Sequence, residues 1–197
     1  MSEDGGLWFT DPYTQMMANR KIDYSECKMN PDQALQGFRL VGAGTTFQSR
    51  DICDMVSESQ LFADLEWKDI ESLAAYLQCY EVSAGTTIFR EGEAGSYMGL
   101  LVKGEVGILK TDLDGTPHRI VSVGHGKTIG EMSIIDGEKR SATCLASQTS
   151  ILLLLTKDNY QRIIREKPAL AVQILARLAK LMSQRLRSVS GQLVEFL

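Results

Sequence analysis

The sequence predicts a mainly β domain, a sandwich or barrel, flanked by helices and ending in one long helix. Three observations predict it. Between Cys79 and Thr156, seven short apolar runs alternate with turn residues at the spacing of an all-β fold. Before and after that stretch, apolar residues recur at three- and four-residue steps, the period of a helix buried along one face. Pro168 suits the first position of a helix, where its missing N–H costs nothing, and from there to Leu197 only Gly191 interrupts a helical pattern.

Composition narrows the class. A chain of 197 residues that is 44% hydrophobic and 23% charged, with a net charge of −4, can bury a core, and is neither disordered nor membrane-like in composition. No apolar run reaches the roughly 18 residues of a spanning helix; Ile151 to Leu155 is the most intense. The acidic start, Met1 to Gly6, lacks the basic opening of a signal peptide, so no membrane is expected and the cytoplasm is the expected compartment. Cys27, Cys53, Cys79 and Cys144 form no C-x-x-C and are expected as reduced, buried thiols. Residues 157–197 carry a net +5, which leaves −9 on the remainder.

In chain order, residues 1–48 show no sustained period and read as an irregular N-terminal extension, and residues 49–197 as the domain. Val41-Gly42-Ala43-Gly44-Thr45-Thr46 lacks the strand–helix setting and third glycine of a dinucleotide site. Its letters return almost unchanged at Val82 to Thr87, as a strand–turn–strand would reuse them. Ser49 to Leu77 is helical in period, as one helix or a pair. The β part follows over about 79–156, with runs at 80–82, 86–89, 98–102, 106–109, 120–123, 143–146 and 151–155. Helices fill 157–197, the first over 157–167. In the second, Leu175, Leu178, Met182, Leu186, Val189, Leu193 and Phe196 recur at the step of about 3.5 that marks a two-helix coiled coil. That spacing predicts a homodimer through the C-terminal helix.

One stretch breaks the β pattern. Ile129 to Thr143 reads as a helix of two turns opened by Gly130-Glu131 and closed at Gly137, then an arginine entering a strand. The first N–H groups of such a helix are unpaired and attract an anion. Arg140 adds a guanidinium fork matched to two phosphate oxygens, Ser141 a hydroxyl, and Ala142 a small side chain that lets the ligand approach. Glu131 repels a phosphate unless the ligand also offers a hydroxyl, as a ribose 2′-OH would. The same two residues could instead pair with each other across the turn. A metal-enzyme alternative, resembling a cupin, would use His118, His125 and Glu131, although two histidines seven apart suit it poorly.

Gly130-Glu131, then Arg140-Ser141-Ala142-Thr143, preceded by Phe89 to Gly95 and by Leu101-Val102-Lys103-Gly104, resembles the cyclic nucleotide-binding domain of the catabolite activator and protein kinase A regulatory families. The resemblance covers about residues 58–197. It implies an eight-stranded, jelly-roll-like β-roll followed by a long helix that caps the base, in a non-enzymatic sensor. It assigns Arg140 and Ser141 to the cyclic phosphate, Glu131 to the 2′-OH, and Gly130, Met132, Ser133 and Ala142 to the pocket. Val189 and Ser190 fall where that family meets the base. Val189 can neither donate nor accept, while Ser141 favours cAMP over cGMP. The rival within this reading is a scaffold whose cassette has lost its ligand or taken a cyclic dinucleotide. The family's transcription factors continue into a helix-turn-helix that these residues lack, so DNA is not expected, and the output is an unidentified protein partner.

Overall fold

The computed structural model describes residues 37–43 and 48–194, together with Leu35. The expectations for residues 1–34, and for Phe196 in the helical seam, lie outside the described residues. In chain order the elements are β1 (Phe38–Ala43), α1 (Gln48–Ser57), α2 (Trp67–Ala74), β2 (Gln78–Val82), β3 (Thr87–Phe89), β4 (Tyr97–Lys103) and β5 (Val106–Thr111). There follow β6 (Pro117–Val123), β7 (Thr128–Ile129), α3 (Met132–Ile135), β8 (Thr143–Ala146), β9 (Ser150–Thr156), α4 (Lys157–Glu166) and α5 (Pro168–Val194). The mainly β architecture with a long C-terminal helix is the one the sequence predicts.

The strands form two antiparallel sheets, ordered β1-β2-β9-β4-β7 and β3-β8-β5-β6. The unbroken run Ile151 to Leu155 is buried throughout, because β9 pairs on both edges, with β2 and β4. Its Leu152 and Leu154 join Val82, Ile88, Leu101 and Ile129 in the core cluster. Its other face is covered as well, with α4 packed against it. A strand covered on both faces is continuously apolar rather than alternating. At the far edge of the second sheet, β6 is exposed along all but its last residue.

Two corrections concern strands. Eight strands, β2 to β9, fill 78–156 as the resemblance implies, but among the described residues a further one, β1, lies in the stretch read as irregular up to residue 48. Phe38 to Ala43 pairs with β2, and Arg39 forms an ion pair with Glu81 across the ladder. The register shifts between Leu40 and Gly42, so the glycine that suggested a turn marks a bulge inside a strand. The second unread strand, β7, has only two residues and carries no period.

The long helix is continuous through Val194. Its predicted seam divides between two faces. Leu178 is fully buried, together with Leu170 and Ile174, whereas Val172, Leu175, Leu186 and Val189 are exposed. Cys53, Cys79 and Cys144 are free and buried, as expected of thiols kept reduced. Among the described residues no helix is long and apolar enough to cross a membrane.

Candidate functional site

The stretch from Ile129 to Thr143 joins β7 to β8. Its helix is shorter than predicted: α3 is a single turn, Met132 to Ile135, in place of two turns from Gly130. A turn this short contributes little dipole, so side chains and individual N–H groups must carry the site's polarity. Gly130 has φ +71, and a Cβ there would stand 2.4 Å from Arg140 Nη1. Gly95 is required for closeness instead, since a Cβ there would fall 2.2 Å from Ser133 Cβ. These two glycines let the turn after Phe89 and the segment before α3 close around one arginine.

Arg140 is held from two sides. Its main-chain N–H donates to Glu93 O at 2.8 Å, and its carbonyl accepts Gly92 N–H at 2.9 Å. That explains the Phe89 to Gly95 stretch, whose turn clamps the arginine's backbone. The side chain is 3% exposed and lies over the rings of Phe89 (4.0 Å) and Tyr97 (4.9 Å). Nη1 donates to Gly130 O at 2.9 Å and Nη2 to Tyr97 O at 2.6 Å. Burial draws its pKa below the ordinary guanidinium value, but arginine stays charged in proteins. The expected fork is thus partly taken up by the protein's own carbonyls, with about three of its five N–H groups left over. Both terminal nitrogens are engaged by main-chain carbonyls, and Nε is the nitrogen left without a partner.

Glu131 is 2% exposed and pairs through Oε1 with Arg185 of α5, while Oε2 has no partner. Arg185 also donates to Thr128 O at 2.9 Å, and the buried Thr128 hydroxyl oxygen is likewise unpartnered. Among the described residues no ion pair joins Glu131 to Arg140, so the alternative in which the two satisfy each other does not hold. A buried carboxylate oxygen, a buried hydroxyl and a buried guanidinium N–H without partners each cost free energy unless a donor or acceptor arrives. The arrangement can accept hydrogen bonds at Glu131 Oε2 and donate them from Arg140.

The remaining predicted residues are placed variously. Ser133 is buried, Ala142 half-buried, and Met132 and Ser141 are exposed, with the Ser141 hydroxyl donating to Met132 Sδ at 3.7 Å. Val189 and Ser190 are exposed on α5, and the Ser190 hydroxyl donates to Leu186 O of its own helix at 2.9 Å. Among the described residues no hydrogen bond links either to the cassette. The metal alternative does not assemble: His118 pairs with Asp112, His125 contacts Val102 O, and Glu131 faces Arg185. Among the described residues no group of three His, Cys, Asp or Glu is placed to hold a metal ion.

Arg185, Thr128, Phe89 and Tyr97 are missing from the sequence-derived site. Only Arg185 had a readable signal. It follows Ile174 and Leu178, both buried, by 11 and 7 residues on one helix face, so a charge continues an apolar stripe. A cation there needs an acid beneath it.

Residues 80–167 match the family model described as the cyclic nucleotide-binding domain. The Cyclic AMP receptor protein of Thermus thermophilus is 32% identical over 68% of this chain and 61% of its own length. The match therefore spans less than two thirds of that relative. A cyclic nucleotide-gated potassium channel of Mesorhizobium japonicum is 34% identical over 59% of this chain and 31% of the channel. Among solved structures, a cyclic nucleotide-binding domain from Methylobacillus flagellatus superposes with a TM-score of 0.73 at 29% identity, covering 84% of this chain and 93% of that one.

Proposed function

This chain belongs to the cyclic nucleotide-binding domain family, and from that premise we propose that it is a non-enzymatic cyclic nucleotide sensor, taking cAMP in preference to cGMP. The observation that carries the reading is the pair of buried, half-satisfied charges, Glu131 with Oε2 free and Arg140 with Nε free. A ligand carrying a hydroxyl beside an anionic phosphate answers both. In this reading the ribose 2′-OH donates to Glu131 Oε2, and the cyclic phosphate accepts from the Arg140 guanidinium and from the Ser141 and Ala142 N–H groups. Thr128 offers a further hydroxyl beside Glu131.

Arg185 links the ligand to the long helix. Because it sits on α5 and pairs with the carboxylate that would meet the ribose, occupation of the site and the seating of α5 are coupled. Coupling of this kind requires the ligand to favour one seating over the other. The exposed stripe of Val172, Leu175, Leu186 and Val189 supports pairing of two copies through α5, with the output passed to a protein partner. Val189 and Ser190 would meet the base only once α5 is reseated.

Isothermal titration with cAMP, cGMP and 2′-deoxy-cAMP tests the proposal, on wild type and on Glu131→Ala and Arg140→Ala. Heat with cAMP, weaker with the 2′-deoxy analogue and lost in both variants, is the expected result. No heat with any of the three refutes it.

A further inference from the structure

Lys110 is the last but one residue of β5, and the sequence gives it no role. Its Nζ donates to the main-chain oxygen of Ser141 at 2.8 Å and forms an ion pair with Glu91. Glu91 is fixed twice more: its carboxylate accepts the Thr111 N–H at 3.3 Å, and its own N–H donates to Thr143 Oγ1 at 3.0 Å. Lys110 foremost, and then the Thr111 N–H, holds the Glu91 carboxyl below its usual pKa. Three segments therefore meet at one lysine: the turn that clamps Arg140, the end of β5, and the cassette's exit into β8.

The geometry of a peptide unit gives this contact a direction. The unit is planar and trans, so its C=O and N–H point opposite ways, and there are no cis peptides among the described residues. Drawing the Ser141 oxygen toward Lys110 turns the Ala142 N–H away from it. Among the described residues, neither the Ser141 nor the Ala142 N–H donates to a protein acceptor. The Arg140 main chain just before is immobilised by Gly92 and Glu93, so rotation of the Ser141–Ala142 unit is the freedom that remains, and Lys110 removes it.

We propose that Lys110 is a positioning residue for phosphate recognition: held by Glu91, it aims the Ala142 N–H at the ligand's phosphate beside Arg140 without touching the ligand itself. This rests on the cyclic nucleotide reading above. The role needs a donor on a long side chain, which methionine lacks and arginine keeps. It also differs from simple attraction, because a distant cation favours all phosphate oxygens alike, whereas one aimed N–H favours a single exocyclic oxygen.

Replacing either exocyclic oxygen by sulfur gives two phosphorothioate diastereomers of cAMP, and the ratio of their affinities reads the aimed donor. In wild type, Lys110→Met and Lys110→Arg, affinities for cAMP and both diastereomers are measured by titration, with thermal melting as a check on folding. Lys110→Met is expected to weaken cAMP about tenfold, the worth of one hydrogen bond, and to bring the two diastereomers closer in affinity. Lys110→Arg is expected to restore both readings. Equal weakening of both diastereomers, leaving their ratio unchanged, would overturn the positioning role in favour of plain attraction. So would Lys110→Met binding all three ligands as wild type does, and in either case the nucleotide reading survives. A wild type that binds none of the three overturns both.

Discussion

Replacing Arg185 by methionine keeps the stem that lies along α5 and removes the guanidinium from Glu131. What is left is a carboxylate 2% exposed with neither oxygen paired. A hydrogen bond to a charged group is worth about 1.5–3 kcal/mol. The Arg185 side chain is 43% exposed, so solvent screens the pair and reduces this to about 1–2 kcal/mol. For a domain of this size that is a fall in Tm of about 2–8 °C. Removing both partners costs less than the sum of removing each, because the buried charge leaves with its counter-ion. The assay is thermal melting of wild type, Arg185→Met, Glu131→Gln and the double variant, without and with cAMP. Ligand at a hundred times its Kd stabilises by about 2.7 kcal/mol, more than the lost contact, so ligand-bound Arg185→Met should melt above ligand-free wild type if its affinity is retained. An Arg185→Met protein melting within 1 °C of wild type, or strictly additive effects in the double variant, would refute the argument.

Three further outcomes follow from the same geometry. Gly130→Ala would bring a Cβ within 2.4 Å of Arg140 Nη1 at a φ of +71, and is expected to destabilise by about 1–3 kcal/mol and to abolish nucleotide binding, checked by melting and titration. Burial pushes the Cys79 and Cys144 thiols up to about 12, so about one molecule in ten thousand carries either thiolate at pH 8; alkylation mapped by mass spectrometry should leave both unlabelled until the protein unfolds. Glu166 is held below the ordinary 4.5, first by the Tyr76 hydroxyl and then with help from Arg162. A lowered folded-state pKa means stability that is present above about 4.5 and lost as pH falls through the folded value. Tyr76→Phe should accordingly show a smaller loss of Tm between pH 6 and 3 than wild type.

The β-roll was legible because its inner strands announce themselves. Ile151 to Leu155, short, apolar throughout and set among turn residues, fits a strand covered on both faces, and turn residues bracket most of the others. The two unread strands lacked such signals: β1 carries Gly42 at its bulge, and β7 has two residues. In the site, Glu131 and Arg140 stood out because an acid beside an expected phosphate demands a reason. Their partners did not. Arg185 lies 54 residues beyond Glu131, and nothing local marks a pairing that exists only because α5 carries Arg185 back to Thr128 and Glu131. Arg140's grip on the carbonyls of Gly130 and Tyr97 is equally unreadable, since every residue has a carbonyl and the fold selects which ones converge. Lys110 falls just beyond the apolar run 106–109 and carried no signal; only the fold brings Ser141 beside it.

The clamp on the Arg140 main chain makes the cassette an asymmetric jaw. Its exit is riveted by Gly92, Glu93, Glu91 and Lys110, while its entrance rests on the two residues of β7 and on glycines with left-handed backbones at Gly130 and Gly137. In the proposed sensor the entrance limb is the one tied to α5, through Glu131 and Arg185, while Arg140 to Thr143 is tied to the β-roll. A shift of Glu131 under that proposal would reach the long helix through a single ion pair, so the Glu131–Arg185 contact is where recognition and output would meet.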